Sequence, residues 1–375
     1  MIRFALIRFR TQALAGAGLL AIAGAVLLVT GIQLNHAYYA AVAVCRQQGN
    51  CAHMFTYTFP SQNYLNVASS LGAATLAVPV LIGMFWGAPL AAREFETGTF
   101  RLAWTQGVTR TRWLAAKLAV AGAAAVAVAE LFTLMVDWWS SPVHKANPAY
   151  TPFIPGSFHT GIAPAGYAAF AFALGVTAGL LIRRTLPAMA LTLAVYIAVI
   201  IAFPVWVRPH LVPPVQATST ISLAAIANLP AVGASGGHLF LVAGQGTAPP
   251  GAEVISSSQL TTPDGRAASS EPAGPCAPPS SAAPAPSQAA PAPPSPAAAR
   301  SCNDYIEGLH LRQTVTYQPA SRYWAFQWVE TAIYLALALA LAGFSFWWIN
   351  RNRPAELSIS RPRTRQPAPA LQSSP

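Results

Sequence analysis

Seven charged side chains, Arg93, Glu94, Glu96, Arg101, Arg110, Arg112 and Lys117, fall in one polar stretch, residues 87–117, between two long apolar runs. Charges of both signs around an aromatic residue suit docking rather than bond-making. As a short helix, the stretch sets Phe95, Thr99, Leu102 and Gln106 close to one face, with Glu94 and Arg101 on others. Such a helix offers an aromatic anchor and flanking charges to a groove on a partner. A solvated loop pinned by lipid headgroups is the plainer alternative. Catalysis has no comparable constellation. The chain contains no HExxH and no phosphate-cradling GxxxxGK[ST], so neither a metalloprotease nor an ATP-hydrolysing domain is encoded.

Residues 233–236 (GASG) followed by His238 share letters with the nucleophile motif of rhomboid-type intramembrane proteases. That chemistry needs the Ser at a helix start in a hydrated cavity and the His on another span. Here both fall in one glycine-rich segment, which reads as a turn. Three carboxylates stand out in apolar surroundings, Glu130, Asp137 and Glu330. An ionised group in hydrocarbon costs roughly 3 kcal/mol or more, so each should face the bundle interior, water or the interface. Glu130 lies roughly 24 Å above the start of its span at about 1.5 Å per residue. Glu130 and Asp137 are seven apart and share a helix face, where they could line a translocation path or bind a proton or cation. Hydrogen bonding between helices is the structural alternative. Asp137 and Glu330 are expected to reach interfacial water.

These residues are held by an apolar chain. Of 375 residues, 54% are hydrophobic and 9% charged, with mean hydropathy +0.43, against roughly 25% charged in a soluble domain. Six stretches are long and apolar enough to cross a bilayer: 13–34, 71–92, 114–138, 161–182, 186–207 and 325–349. Pro79 and Pro204 should kink the second and fifth. The expected fold is an all-α polytopic membrane protein. The net charge of +11 does not point to nucleic acid, because 15 of the 22 basic residues lie on one side of an alternating six-span topology. By the positive-inside rule that side, with both termini, is cytoplasmic.

Residues 1–12 form a short amphipathic element suited to the headgroup region, although a basic flank that only orients the first span fits equally. Residues 13–207 hold spans one to five, with the polar segment 93–113 between the second and third. The first apolar run exceeds the usual length of a signal h-region, and Val44 precedes Cys45 where a lipoprotein site takes a small residue, so an uncleaved first span is expected. Residues 208–324 form a large extracytoplasmic loop, in which 267–299 is almost wholly Ala, Pro and Ser and reads as disordered. Within that loop, 221–244 is moderately apolar but broken by Pro and Gly, a short re-entrant or surface-packed element. The sixth span, 325–349, precedes a disordered tail, 350–375. Cys45, Cys51, Cys276 and Cys302 all fall outside, so disulfides are expected. Cys45 with Cys51 closes a small loop and Cys276 with Cys302 brackets the Ala/Pro tract, although three pairings are open. No His accompanies them at zinc spacing, and no metal site is expected. Trp138, Trp139, Trp324, Trp328, Trp347 and Trp348 sit at span ends, as interfacial belts require.

The run Arg93-Glu94-Phe95-Glu96-Thr97-Gly98-Thr99, followed by Thr109-Arg110-Thr111-Arg112-Trp113 and Lys117, resembles the cytoplasmic loop of ABC-2 type permease subunits. Those show an E-x-x-x-G-T-like element, a short helix and an Arg before an entering helix with Lys. The approach to the last span, from Tyr317-Gln318-Pro319 to Glu330, looks like actinobacterial-type permeases of this kind. The Ala/Pro tract and the tail depart from the pattern. The resemblance implies that Glu94, Phe95, Glu96, Gly98, Thr99, Arg101, Leu102 and Arg110 couple to a separate ABC ATPase, which binds the ATP. It further implies a non-enzymatic, cofactor-free subunit of the cell membrane that forms a homodimer or pairs with a similar permease. Such a subunit contacts membrane lipid and exports an amphipathic cargo. Two rivals remain: a non-transport scaffold or sensor, and a proton-coupled carrier using Glu130.

Overall fold

The computed structural model describes residues 2–48, 61–98, 109–146, 152–153, 161–220, 232–235, 238–241, 248–249, 251–277 and 296–351. It is an all-α polytopic membrane protein with six helices long and apolar enough to span a bilayer. The first span belongs to α1 (Ile2–Gln48). The second is α2 (Ser61–Ile82), a π-turn (Gly83–Gly87) and α3 (Ala88–Thr97). Helix α4 (Arg110–Ala146) is the third and α5 (Ala163–Ile182) the fourth. The fifth is α6 (Thr185–Ala202), a second π-turn (Phe203–Val207) and α7 (Arg208–Leu211).

No break separates residues 2–12 from the first span: α1 is one helix of 47 residues. The first Gly is Gly16, and nothing before it interrupts a helix. The expected separate element is therefore the first turns of α1. Pro79 sits inside regular α2, whereas Pro204 lies within the second of the two π-turns, where the irregularities fall. Each π-turn stops two residues before a proline, Pro89 or Pro209. A proline ring clashes with the carbonyl four residues back and supplies no N–H, and a widened turn absorbs both defects.

Helix α5 is the axis. Of its most apolar window 78% is buried, against 11–39% in the other five spans. Its Ala- and Gly-rich sequence lets neighbours approach from every side. The closest approach joins two G-x-x-x-G segments, Gly83/Gly87 on the second span and Gly175/Gly179 on α5. A Cβ on Gly83 would lie 2.5 Å from the Ala171 carbonyl oxygen, and one on Gly87 2.7 Å from that of Phe172. A Cβ on Gly175 or Gly179 would collide with the carbonyl oxygens of Gly83 and Ala88. With lipid on the outside, close van der Waals packing of small residues is what holds such helices together.

The insert between the fifth and sixth spans is built from β1 (Val215–Thr220), β2 (Val232–Ser235), β3 (His238–Leu241), β4 (Glu253–Ser257), α8 (Pro296–Gly308) and β5 (Arg312–Gln318). The sixth span, α9 (Tyr323–Arg351), follows β5 through a short 3-10 turn. Strands β1, β5 and β4 form an antiparallel sheet in that order, and β2 pairs with β3. Within the moderately apolar 221–244 segment, residues 232–235 and 238–241 thus pair as antiparallel strands, since its glycines disfavour helix. Leu260, Ala268, Ile306 and Leu311 form a small core beside the Cys276–Cys302 disulfide. The Ala/Pro/Ser tract is structured at its ends: residues 268–270 and 274–276 are 3-10 turns and α8 begins at Pro296. Residues 278–295 lie outside the described residues, as does the tail from 352.

Gly175→Ala should disrupt the bundle, because its methyl group meets backbone, which cannot rotate away. Overpacking of this sort costs about 1–3 kcal/mol and occasionally more. Gly343→Ala, where nothing lies within 4 Å, should be neutral. Thermal midpoints and size-exclusion profiles of the detergent-solubilised variants check the contrast.

Candidate functional site

The second span ends in a clamp of three consecutive residues, each reaching a different part of the bundle. Glu94 pairs with Lys117 of the third span at 2.6 Å, with side chains only 13% and 14% exposed. Lys117 also donates to the Leu90 carbonyl at 3.2 Å and stands 4.2 Å from the centre of the Trp113 ring. Phe95 packs against the cluster that includes Trp113, Leu114 and Leu180, and the Arg183 guanidinium lies 5.5 Å from its ring centre. Glu96 accepts hydrogen bonds from the Thr185 N–H and hydroxyl, both at 2.7 Å. Thr185 opens α6, so this carboxylate satisfies an orphan N–H and faces the positive end of the helix dipole.

The local sequence explains the placement. Arg183, in the left-handed conformation (φ 56°), and extended Arg184 make a two-residue turn that sets α6 back beside α5. Gly98 has φ +72° and ends α3 at Thr97. Phe95 and Leu102 therefore do not share one helix, which corrects the single amphipathic face expected across residues 95–106. Thr99, Arg101, Leu102 and Gln106 lie outside the described residues. Arg110 opens α4, where the Thr109 hydroxyl accepts from the Arg112 N–H at 3.4 Å.

A second polar group lies at the bundle's opposite end, where sequence reasoning left Glu330 to interfacial water. Glu330 is instead 4% exposed and accepts a hydrogen bond from the Tyr167 hydroxyl at 2.5 Å. The Tyr167 ring meets Tyr334 edge-on, 4.7 Å between centres, and Phe170 and Phe203 close the cage. Glu330 Oε2 and the Tyr334 hydroxyl have no hydrogen-bond partner among the described residues. One turn earlier, the Gln327 side chain accepts from the Ala163 N–H at 2.9 Å and caps α5. Arg208 stands 5.7 Å from the Phe153 ring centre and 5.8 Å from that of Phe326. Burial pushes the Glu253 carboxyl of β4 up in pKa, while the Arg208 charge pulls it down.

Glu130 and Asp137 lie on α4. Glu130 is half-buried with Oε2 unpartnered among the described residues, whereas Asp137 is exposed. Between them α4 packs on α1 through Leu27, Leu34 and Val136, and the Trp139 indole N–H donates to the Thr30 hydroxyl at 3.0 Å. The structure does not bring Glu130 to either polar group. Cys276 and Cys302 are disulfide-bonded to each other. Cys45 is also disulfide-bonded, and Cys51 lies outside the described residues.

Sequence reasoning missed Tyr167, Arg208 and Tyr334, which no motif marks. It also missed the two G-x-x-x-G segments, whose spacing was a usable signal. Tyr167→Phe should strand another buried carboxylate oxygen and cost about 1–3 kcal/mol. The expected result is a thermal midpoint lowered by several degrees, with Glu330→Gln, which relieves the charge, disturbing the Tyr167→Phe background less than the parent.

No curated protein and no solved structure matches the chain. A family model described as ABC-2 membrane transporter related matches residues 17–208, more than half of the 375 residues. The match runs from the first span to the end of the fifth and contains the clamp. Permeases of this kind are generally non-enzymatic membrane subunits that pair with an ABC ATPase. The six-span bundle and the polar clamp at the end of its second span are thus those of a transporter permease, and the chain belongs to the ABC-2 membrane transporter related family.

Proposed function

We propose that the protein is the membrane-spanning subunit of an exporter driven by a separately encoded ABC ATPase, with residues 93–113 as the element that docks on that ATPase. One observation carries the reading: residues 94–96 tie the end of the second span to the third span, to the turn between the fourth and fifth, and to the first N–H of the fifth. A push on the adjoining segment would reach three spans at once. In this reading Glu94, Phe95, Glu96 and Gly98 transmit the displacement, while Thr99, Arg101, Leu102 and Arg110 supply the docking contacts. The partner binds and hydrolyses ATP, and this chain needs no cofactor.

Two permease chains, identical or similar, would flank the cargo path in the cell membrane, with both termini and residues 87–117 in the cytoplasm and residues 208–324 outside. The split of basic residues supports that orientation. The exposed apolar surfaces of α1 and α6 suit lipid or a second permease. Glu130 and Asp137 are assigned to the translocation path, and an amphipathic cargo fits so apolar a bundle. The basic charge serves orientation, with no nucleic-acid partner.

Phe95→Ala removes an apolar side chain worth roughly 1.5–3 kcal/mol when buried, which corresponds to about a ten- to hundredfold loss where it supports assembly. Pull-down of the ATPase and its permease-stimulated turnover, with Phe95→Ala and Glu94→Ala proteins that insert normally, are the measurements. Loss of stimulation is expected in both, and parent-like binding and stimulation in both would remove the coupling role. For orientation, a Cys introduced at Ala103 should resist a membrane-impermeant thiol reagent in intact cells and react after permeabilisation. Transport that persists when the proton gradient is collapsed would separate the exporter from a carrier working through Glu130.

A further inference from the structure

The clamp leaves positive charge over at the turn between the fourth and fifth spans. Arg183 and Arg184 are the whole of that turn, and both side chains are exposed. Glu96 is the acid beside them, yet its two oxygens are taken by the N–H and hydroxyl of Thr185, each at 2.7 Å. Neither arginine makes an ion pair or a side-chain hydrogen bond among the described residues. Lys117, by contrast, is paired with Glu94. The Arg183 guanidinium rests 5.5 Å from the Phe95 ring centre, a ring contact that uses its charge and none of its five N–H donors. Arg93, three residues before Glu96 on α3, is exposed as well.

Two further features bear on what this charge meets. A left-handed residue at a helix end is usually glycine or asparagine, because a Cβ is strained there. Arg183 has φ 56°, so the position keeps a charged side chain at a backbone cost. Two residues along from Arg184, Leu186 is 78% exposed, and Leu181 on the preceding helix is 40% exposed. A turn of two residues joining two spans lies at a membrane surface, whichever way the chain is inserted. Cations at headgroup level and exposed leucines at the level of the acyl chains therefore sit side by side.

We propose that the turn between α5 and α6 binds a phospholipid of net negative charge, with Arg183 and Arg184 on its phosphate and Leu186 against an acyl chain. Guanidinium groups match phosphate oxygens in bidentate geometry and give up water more readily than an ammonium does. In a zwitterionic lipid the phosphate is balanced by the lipid's own ammonium group, so the site selects against it. The site also reaches the clamp. Phe95 rests on Arg183, and Glu96 is held by Thr185, the residue after Arg184. A headgroup on the two arginines acts on the turn that Glu96 holds, and the lipid becomes part of what fixes α3 against α6.

The test uses purified full-length protein in vesicles and needs neither an ATPase nor a known cargo. Ala190 is exposed one turn beyond Leu186 on α6, and Ala190→Cys protein carries a bimane fluorophore there. Quenching by brominated phosphatidylglycerol and by brominated phosphatidylcholine, at equal mole fraction and with the same acyl chains, reads which lipid occupies that position. Phosphatidylglycerol should be preferred by at least about fivefold, the effect of ~1 kcal/mol. Arg183→Gln/Arg184→Gln should bring the two lipids to parity. Arg184→Gln alone, which leaves the left-handed residue in place, should lower the preference even if the double variant does not insert. Arg351→Gln, at the end of the last span, should keep it, and soluble glycerol phosphate should not displace the lipid. Equal quenching by the two lipids would overturn the site, as would an unchanged preference in either arginine variant of the turn. So would displacement by glycerol phosphate, or an equal loss in Arg351→Gln, which would trace the preference to the general field of the surface.

Discussion

The backbone-to-backbone contact between Gly83/Gly87 and Gly175/Gly179 sets the position of everything else. In a bilayer the hydrophobic effect does not drive helices together, since lipid tails are as apolar as leucine, and the association rests on how closely surfaces can fit. At this crossing there is no room for a methyl group on either side. The contact fixes α5 as the buried axis and holds the second span against it, and α3 inherits its position from that crossing. The π-turn at Gly83–Gly87 is part of the same device. It absorbs the proline that follows while presenting glycine to the neighbour.

From this contact the clamp at the end of α3 follows. Because α3 lies along α5, its last turn ends beside the two-residue turn that begins α6, and Glu96 meets the free N–H of Thr185. Glu94 meets Lys117 because α4 returns along the same side. The charges are consumed within the chain, which changes their physical meaning. A half-buried ion pair and a helix cap bind spans into one unit, whereas exposed charges would be available to a partner. Gly98 then separates the clamp from residues 99–108 by a left-handed residue that no helix can run through.

The opposite end of the bundle is organised by the same economy of charge. Few ionisable groups are present in the spans, and two of them lie against aromatic rings: Glu330 with Tyr167, and Arg208 beside the touching rings of Phe153 and Phe326. Burial leaves each group dependent on its neighbours, since an unpartnered charge has no water to fall back on. The insert joins this end of the bundle through β5, whose Gln318 donates to the Val212 carbonyl just after α7. Its own fold rests on a small core and the Cys276–Cys302 bridge, which closes a segment too rich in Ala, Pro and Ser to bury apolar surface by itself.

What the sequence alone determined was the set of membrane-spanning elements. Six apolar runs of sufficient length specify six helices, because backbone in hydrocarbon must satisfy its hydrogen bonds internally. The polar run at 87–117 marked the clamp, and its Glu94-to-Thr99 pattern led to the family that the 17–208 match shows. Pairing was a different matter. Which face of Glu94 meets Lys117, or whether Glu330 reaches water or Tyr167, depends on which helices touch, and periodicity carries no such information. The sheet of the insert was likewise hidden, because β5 pairs with strands distant in the chain and short polar strands have little pattern of their own. Glycine spacing was readable, but its use was not. Only the tertiary structure decided that both G-x-x-x-G segments face each other, since that requires two surfaces, and a sequence shows one residue at a time.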